Sequence, residues 1–506
     1  MNYKKMLLVG SLGLILLLVF YFAKTVGDFS VNQEINEHKT SLIKKNSINI
    51  EKYGVKGDGV TDDTQKIQFA IEDAAKKNKM LIISAKTYLV SPLKHRDFTV
   101  SDWWCLNIPS NADIFFESGA ILKVVDDAPE WTRILVIDGV SNVNIYGHLE
   151  VDGNAQSVTD GNEHMAGIFI FNAQNIFIES VYSHDSYGDN IFIGGTEDNY
   201  SNNVKINNLK GVTAGRKNLV IHYVDNLHIG TAILDNSKGG EEENWTGANS
   251  LDLEPDNFKG TKQFFQRIDY LSTYGKGNDF TVGTKKELSK KWVLEVGDFN
   301  VILMNGSKEG LLSYAVTVKI DKLFVKSSSN NADKGIKLIY SANWEIKEAY
   351  FIEGRGYAIS LKEADGEKPS IKLGKVFLSR PKGKGIELWG SDASIDYLEV
   401  NTLQDAALKV FATNNQLVTI QNFISRNSGE TELIHISDHG FQPIVRIINL
   451  FVTDDRSTKV NNIIDLNTQR AVNGFEINNI KNYDNLKEFS FGPTVKTKKP
   501  LYKKRK

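Results

Sequence analysis

One short phrase recurs through the first half of this 506-residue sequence. Each copy places an Asn before an apolar residue, then any residue, then a second apolar residue. The copies begin at Asn142, Asn175, Asn203 and Asn226. Alternating apolar positions predict a half-buried strand. Because the phrase returns after roughly two to three dozen residues, it indicates stacked structural repeats that share one interior.

A second set of short strands lies between the copies of this phrase, at residues 167–170, 189–193, 217–221 and 249–253. Two strand lines per repeat, separated by turns of Gly, Asn, Asp and Ser, predict an all-β fold. We interpret this fold as a single-stranded right-handed parallel β-helix. Similar strand patterns continue beyond residue 316, so we expect one solenoid over residues 48–491.

The first residues carry a membrane signal. Lys4 and Lys5 precede an almost purely apolar run at residues 6–23, which is long enough to cross a bilayer as a helix. The run lacks the small residues of a signal-peptide cleavage site. We therefore expect an uncleaved anchor within residues 1–27, with the N-terminus in the cytoplasm and the β-helix outside it.

Three further segments complete the predicted organisation. Residues 28–47 are polar and unpatterned, which is typical of a linker, and residues 492–506 form a basic tail that we expect to be solvated. Ile67, Ala70, Ile71 and Ala74 have helical spacing. A helix there would cover the open edge of the first coil and block edge-to-edge association.

Charge and cysteine content narrow the function classes. The formal net charge is −2, from 60 basic and 62 acidic residues, so no global field favours nucleic acid as a partner. Cys105 is the one cysteine, which excludes an internal disulfide. It lies in no metal-like Cys/His spacing, so we expect it to be a buried packing residue.

Three stretches resemble a known family. Residues 53–71, YGVKGDGVTDDTQKIQFAI, resemble the opening of the pectate-lyase-like (pectin lyase-like) superfamily, which includes polygalacturonases and phage tailspike depolymerases. Residues 144–154 are similar to a coil of polygalacturonases, and residues 250–256, SLDLEPD, resemble a phrase of related β-helix proteins. The resemblance implies a parallel β-helix that acts on polysaccharide. The polygalacturonase motifs are incomplete, since Asp189-Asn190 stands where a paired Asp is expected and no Gly-His-Gly occurs.

The stacking register predicts where chemistry could take place. If the second strand set stacks in register, Ile191, Leu219 and Leu251 form one inward row. Carboxylates, an imidazole and a guanidinium then gather on one outer face, where a long polymer could lie across three coils. The catalytic candidates are Asp185, Asp189, His222, Asp252 and Glu254, and the substrate-binding candidates are His184, Asn190, Arg216, Asn218 and Trp245.

Two reaction classes fit these candidates. Glycosidic hydrolysis generally uses two carboxyl groups about 5 to 9.5 Å apart. Coils that stack about 4.8 Å apart could supply such a pair, with Asp185 or Asp189 as one member and Asp252 or Glu254 as the other. A lyase or epimerase instead removes a proton beside a uronate carboxylate, which Arg216 would neutralise while His184 or His222 acts as base or acid. A non-catalytic β-helix that binds surface glycan is the alternative.

The candidates also have structural explanations. Asp and Asn at coil corners usually form turns or stacked ladders, Arg216 would pair with Asp189 or Glu254, and Trp245 would pack under a loop. A calcium ion fits only the acidic run at residues 241–243, which is more simply an exposed turn. The sequence therefore predicts no metal site and no required cofactor, and it leaves the oligomeric state open.

Overall fold

The protein is a parallel β-solenoid made of two sheets, as the repeat pattern predicts. The computed structural model describes residues 46–94, 103–236, 249–254, 262–275, 280–282, 292–303, 309–314, 316–327, 334–340, 342–428, 432–453, 464–466 and 474–482. Within these ranges the paired strands are parallel, apart from one short antiparallel pair near the N-terminal end.

The strands are numbered β1 to β35 in chain order and fall into a 20-stranded sheet A and a 15-stranded sheet B. Sheet A contains β1 Ser47–Asn49, β2 Asp58–Asp62, β3 Met80–Ile83, β4 Thr87–Val90, β7 Asp113–Phe116, β8 Ile121–Val124, β10 Ser141–Gly147, β11 Leu149–Asp152, β13 Gln174–His184, β15 Ser201–Val212, β17 Val224–Asn236, β19 Phe264–Gly275, β21 Trp292–Leu303, β23 Thr317–Ser327, β25 Asn343–Ile352, β27 Ser370–Ser379, β29 Asp392–Asn401, β31 Leu417–Arg426, β33 Ile444–Thr453 and β35 Phe475–Asn482. Sheet B contains β5 Leu93–Lys94, β6 Trp103–Asn107, β9 Thr132–Asp138, β12 Ala166–Phe171, β14 Asp189–Gly194, β16 Lys217–Ile221, β18 Asn249–Leu253, β20 Phe280–Val282, β22 Glu309–Tyr314, β24 Lys334–Ile339, β26 Tyr357–Lys362, β28 Lys384–Trp389, β30 Leu408–Ala412, β32 Ile434–Asp438 and β34 Ile464–Leu466.

The two predicted strand lines correspond to these two sheets, but the strands of sheet A are longer than the sequence pattern predicts. From β13 onward each coil contributes one long strand in place of two short ones. In β15 the alternation of buried and accessible residues is interrupted at Asn207 and Asn208, which are both half-buried. The recurring Asn phrase marks only the first half of each long strand, because the period of two is reset at this interruption.

The repeated asparagines form a ladder along sheet A. Asn142, Asn175 and Asn203 have left-handed backbones, with φ of 61°, 56° and 58°, a conformation that Asn tolerates better than most residues. Asn175 Nδ2 donates to Asn142 Oδ1 at 3.1 Å, and Asn203 Nδ2 donates to Asn175 Oδ1 at 2.8 Å. The recurrence of Asn thus reflects one turn conformation repeated in successive coils.

The interior is filled by the predicted inward rows. Ile191 pairs in register with Leu219, which pairs with Leu251, and all three side chains are buried in one core that runs along the solenoid. Cys105 is also buried there, as expected. The register that locates the outer face is therefore confirmed.

A short 3-10 helix, Ile50–Tyr53, and one α-helix precede the regular coils. Helix α1, Thr64–Lys76, buries Ile67, Ala70, Ile71 and Ala74, the predicted apolar stripe, and packs against β3 and β6. Its role in blocking edge-to-edge association stays a prediction. Among the described residues no helix is long and apolar enough to span a membrane, and the predicted anchor, most of the linker and the basic tail lie outside the described residues.

Candidate functional site

Charged side chains converge where sheet A turns into sheet B. We call this turn the A–B corner of each coil. Arg216 ends the corner before β16, and its guanidinium contacts Asp189 of β14 at 3.0 Å and Glu254, just after β18, at 2.6 Å. Lys217 Nζ lies 3.0 Å from Asp252 Oδ2. We call Asp189, Arg216, Lys217, Asp252 and Glu254 the carboxylate–arginine cluster.

The stacking of three strands and the reach of the long Arg216 and Lys217 side chains account for this convergence, since the register places Asp252 three residues along β16 from Lys217. β14, β16 and β18 are adjacent parallel strands of sheet B, and Val220 pairs with Asp252. Asp252 and Glu254 are two residues apart, so an extended backbone directs both side chains to the same face. The structure thus brings together Asp189, Arg216, Asp252 and Glu254, four of the predicted site residues, from three successive coils.

The cluster is largely shielded from solvent. The side chain of Asp189 is 4% exposed, that of Arg216 is 18% exposed and that of Glu254 is 22% exposed. Asp189 Oδ1 is buried and has no hydrogen-bond partner. A fourth carboxylate, that of Glu163, lies 3.6 Å from Arg216 Nε. The cluster therefore holds more carboxylates than cations in a place that water reaches poorly.

This environment changes the protonation of the acids. Burial raises the pKa of Asp189 to about 7, against the opposing charges of Arg216 and Lys217. Burial and the charge of Asp252 raise the pKa of Glu254 to about 8, and a hydrogen bond joins these two side chains. Burial by itself would lower the pKa of Arg216, but the charges of Asp189 and Glu254 raise it. The cluster therefore retains carboxyl protons near neutral pH.

A second polar group lies on the sheet A side of the same corner. His184 Nδ1 is 2.7 Å from Asp185 Oδ2, and His184 Nε2 is 3.4 Å from Glu150 Oε1. Asp152 pairs in register with His184. The structure thus separates His184 and Asp185, which the sequence places with the other candidates, from the contacts of Arg216.

This second group is the place where the described residues could hold a metal ion. Three possible ligand atoms, one each from Asp152, His184 and Asp185, lie within 4.8 Å of one another. Two carboxylates and an imidazole form a donor set that divalent transition metals accept. Lys123 Nζ lies 3.6 Å from Asp152 Oδ2 and supplies a competing positive charge. No metal site was predicted from the sequence, and Asp152 was not among the candidate site residues.

The predicted outward orientation of Asn190 and Asn218 is wrong. Both side chains are fully buried. Asn190 Nδ2 donates to Val212 O at 2.9 Å and to Asn218 Oδ1 at 2.6 Å. Val212 O also accepts a hydrogen bond from the Asp185 N–H at 3.1 Å, so the Asn190 amide is the second donor to this carbonyl at the corner. These side chains therefore belong to the interior of the corner and are not accessible to a polymer on the outer face.

The remaining candidates lie apart or outside the described residues. His222 is half-buried, with Nδ1 3.2 Å from Gly195 O and its ring 4.3 Å from that of Tyr223. Trp245 and the acidic run at residues 241–243 lie outside the described residues.

Two features of the site were missed by sequence reasoning. Lys217 was assigned only to a strand, although its place at the start of β16 corresponds to that of Asp189 in β14. Phe169 was also missed as a member of the outward row that the predicted register forms from Phe192, Val220 and Asp252. Phe169 pairs in register with Phe192, which pairs with Val220, and the two rings stack at 5.0 Å. This row leads along the solenoid to Asp252, as the period-two pattern predicted for Phe192, Val220 and Asp252, and the same pattern could have added Phe169.

A family model supports the resemblance inferred from the sequence. Residues 47–100 match the family described as rhamnogalacturonase A/epimerase, pectate lyase-like. Together with the β-solenoid, this match confirms the resemblance to the pectate-lyase-like superfamily. No curated protein sequence matches the chain.

Several solved structures are similar in fold. The A-module of mannuronan C-5 epimerase AlgE4 from Azotobacter vinelandii is 13% identical, with 87% of this chain and 99% of that chain covered and a TM-score of 0.43. The tailspike protein of E. coli bacteriophage HK620, in complex with pentasaccharide, is 11% identical, with 86% and 76% covered and a TM-score of 0.45. The Streptococcus pneumoniae surface protein and adhesin PfbA is 13% identical, with 86% and 100% covered and a TM-score of 0.39. At these values the similarity assigns no activity.

Proposed function

We propose that this protein is a polysaccharide-acting enzyme with the carboxylate–arginine cluster as its catalytic centre. The observation that carries the proposal is the state of Glu254, a poorly exposed acid whose pKa is raised to about 8. An acid that keeps its proton near neutral pH can protonate a departing glycosidic oxygen. Asp252 is hydrogen-bonded to Glu254, which is closer than the roughly 5 to 9.5 Å between the two catalytic carboxyls of a glycosidase, so its role is to hold the proton of Glu254. Asp189, bound by the other terminal nitrogen of Arg216, is the candidate for the second catalytic carboxyl.

The outward aromatic row supports a polymer as substrate. Phe169 and Phe192 lie in consecutive coils and pair in register. Phe192 pairs with Val220 in the next coil, and Val220 pairs with Asp252 in the coil after that. Aromatic faces in binding sites pack against apolar faces of ligands. Phe169 is 7% exposed and the Arg133 guanidinium lies 3.7 Å from the centroid of its ring, so the half-buried Phe192 is the ring of this row that a sugar could contact.

Hydrolysis is favoured over elimination or epimerisation at this cluster. Those two reactions require a cation that neutralises the uronate carboxylate next to the abstracted proton. Arg216 is bound by Asp189 and Glu254, and Lys217 is bound by Asp252. Because both cations are engaged by the protein's own carboxylates, the arrangement suits acid–base hydrolysis better.

The alternative is that the face binds glycan without cleaving it. The ion pairs of Arg216 with two carboxylates support this alternative, since such a network can also serve only to hold three coils together. The aromatic row would then be the binding element, and the acids would have no chemical role.

Cleavage of a panel of surface polysaccharides by the full chain tests the proposal. We expect new reducing ends. Glu254→Gln and Asp189→Asn should each lower turnover by at least roughly a hundredfold, the usual contribution of general acid–base catalysis. Asp269→Asn is the matched control, because Asp269 is a solvent-exposed carboxylate that is likewise ion-paired, with Arg267, and should leave turnover unchanged.

Other outcomes of this experiment would support a different reaction or a non-catalytic function. An unsaturated, ultraviolet-absorbing product would show elimination, and binding without any product would support the glycan-binding alternative. Unchanged turnover in both Glu254→Gln and Asp189→Asn, with cleavage intact, would remove the cluster from the mechanism.

The location of the enzyme is a separate proposal. Lys4, Lys5 and the apolar run at residues 6–23 support a single-pass anchor that holds the β-helix outside the cytoplasmic membrane. We expect the intact chain to remain in the membrane fraction after a salt wash. A β-helix recovered free in the medium, with a new N-terminus near Lys24, would contradict the anchor.

A further inference from the structure

A second arginine is buried at the A–B corner that follows β27. Arg380 is 2% exposed and is among the largest fully buried side chains of the described residues. Its Nε and Nη2 atoms are buried and have no hydrogen-bond partner. Five donor hydrogens of a guanidinium ordinarily find acceptors in a protein interior, so the absence of acceptors at two of its nitrogens requires an explanation.

Another unused donor lies beside this guanidinium. Ser327, the last residue of β23, has a buried Oγ with no hydrogen-bond partner. A methyl group on Gly354 would collide with Arg380 Nη2 and would lie 3.0 Å from Ser327 Oγ. The two polar groups therefore converge over Gly354. A methyl group on Gly383 would lie 2.8 Å from Arg380 Nε, so glycine is required on this side as well.

No carboxylate of the described residues forms an ion pair with Arg380. Burial lowers the pKa of Arg380 to about 10, and burial is the one cause of that shift. The side chain is therefore still a cation at neutral pH. The nearby carboxylate of Asp405 is bound by Lys384 at 3.5 Å and by Lys409 at 3.1 Å.

An uncompensated charge of this kind is costly. Removing one ion from water costs several kcal/mol even after the protein relaxes. A water molecule would satisfy the unused donors but would leave the positive charge uncompensated. A bound anion satisfies the donors and the charge together.

We propose that the A–B corner after β27 binds a small inorganic monoanion, of halide size, between the Arg380 guanidinium and the Ser327 hydroxyl. The size follows from burial, because a side chain that is 2% exposed leaves no opening for a sugar acid or another organic anion. The single charge follows from the single unpaired cation. The anion stabilises the later coils and is independent of the proposed catalytic cluster.

Thermal unfolding of the full chain tests this proposal, with chloride replaced by gluconate at constant ionic strength. The melting temperature of the wild type should rise with the logarithm of chloride concentration above the dissociation constant, because a ligand of the native state stabilises it by mass action. Arg380→Met should lose this dependence. Lys382→Met removes an exposed cation from the same corner and should keep it.

A second measurement covers the case in which Arg380→Met does not fold. Wild-type crystals grown in bromide should show an anomalous-scattering peak next to Arg380 Nη2. The proposal is wrong if the melting temperature of the wild type is the same in chloride and in gluconate, if Arg380→Met responds to chloride like the wild type, or if the bromide crystals show no peak there.

Discussion

The corners that contain Arg216 and Arg380 occupy the same point of two different coils, and each removes a guanidinium from solvent. Arg216 faces the outer side, where Asp189 and Glu254 from the neighbouring coils bind it. Arg380 faces a crowded interior between Gly354 and Gly383 and has no carboxylate partner among the described residues. Burial of an arginine therefore does not by itself indicate a site. The supply of counter-charge from adjacent coils distinguishes a network of acids from an isolated cation.

The surroundings of the two corners also differ in how deeply their charged groups are buried. In later coils many charged pairs lie on exposed parts of sheet A, such as Lys372 with Glu345 at 3.1 Å and Lys347 with Asp321 at 2.6 Å, and sheet B adds the less exposed pair of Lys409 with Asp405 at 3.1 Å. Exposed pairs of this kind contribute roughly 0 to 1 kcal/mol to stability. The poorly exposed carboxyl groups with raised pKa values, Asp189 and Glu254, lie on sheet B near Arg216. Perturbed pKa values of this kind cluster at functional sites.

The largest effect is expected from removing the two arginines in turn. Arg216→Met leaves Asp189 and Glu254 without their cation, and breaking a buried pair in this way typically costs about 3 to 5 kcal/mol. Arg380→Met removes a cation that has no protein partner to leave behind, so in chloride-free buffer it should be neutral or stabilising. Urea denaturation at pH 8 measures both. Equal losses of stability would show that the two corners do not differ as described.

A smaller and equal effect is expected in the two cores. Leu219 and Leu361 are both fully buried, one in β16 beside Arg216 and the other in β26 near Arg380. Each Leu→Ala change should cost about 2 to 5 kcal/mol, because the interior rows are alike in both regions. Calorimetric unfolding of the two variants measures this. If Leu219→Ala leaves stability unchanged, the inward row and the outer face derived from it are wrong.

The pH dependence of stability should come from the region of Arg216. The pKa values of Asp189 and Glu254 are raised to about 7 and about 8, from ordinary values of 3.8 and 4.5. The native state then binds more protons than the unfolded state between those limits, so stability should fall as pH rises through this window.

Denaturation from pH 5 to pH 9 measures the slope of the unfolding free energy with pH. Each carboxyl group with a raised pKa contributes at most about one proton to the difference in proton binding that sets this slope. Glu254→Gln should flatten it, whereas Lys382→Met, near Arg380, should not. Turnover by the proposed acid should also fall above about pH 8, as Glu254 loses its proton. A wild type whose stability rises between pH 5 and pH 8 would contradict the raised pKa values.

The sequence by itself determined the solenoid and its register. Apolar residues at every second position set which side chains enter the core, and this rule depends only on the geometry of a strand. The repeated Asn marked a left-handed turn in each coil, and the helical stripe from Ile67 to Ala74 marked the helix. These features are local, so they can be identified without knowledge of distant contacts.

Only the tertiary structure decided the chemistry at the corners. The period-two rule fails there, because a turn resets the direction of each side chain, and Asn190 and Asn218 consequently point inward. Arg216 is 27 residues from Asp189 and 38 residues from Glu254, and no sequence pattern fixes how deeply such a group is buried. The raised acid pKa values and the unpaired charge of Arg380 both depend on this burial, which is a property of stacked coils and not of any one of them.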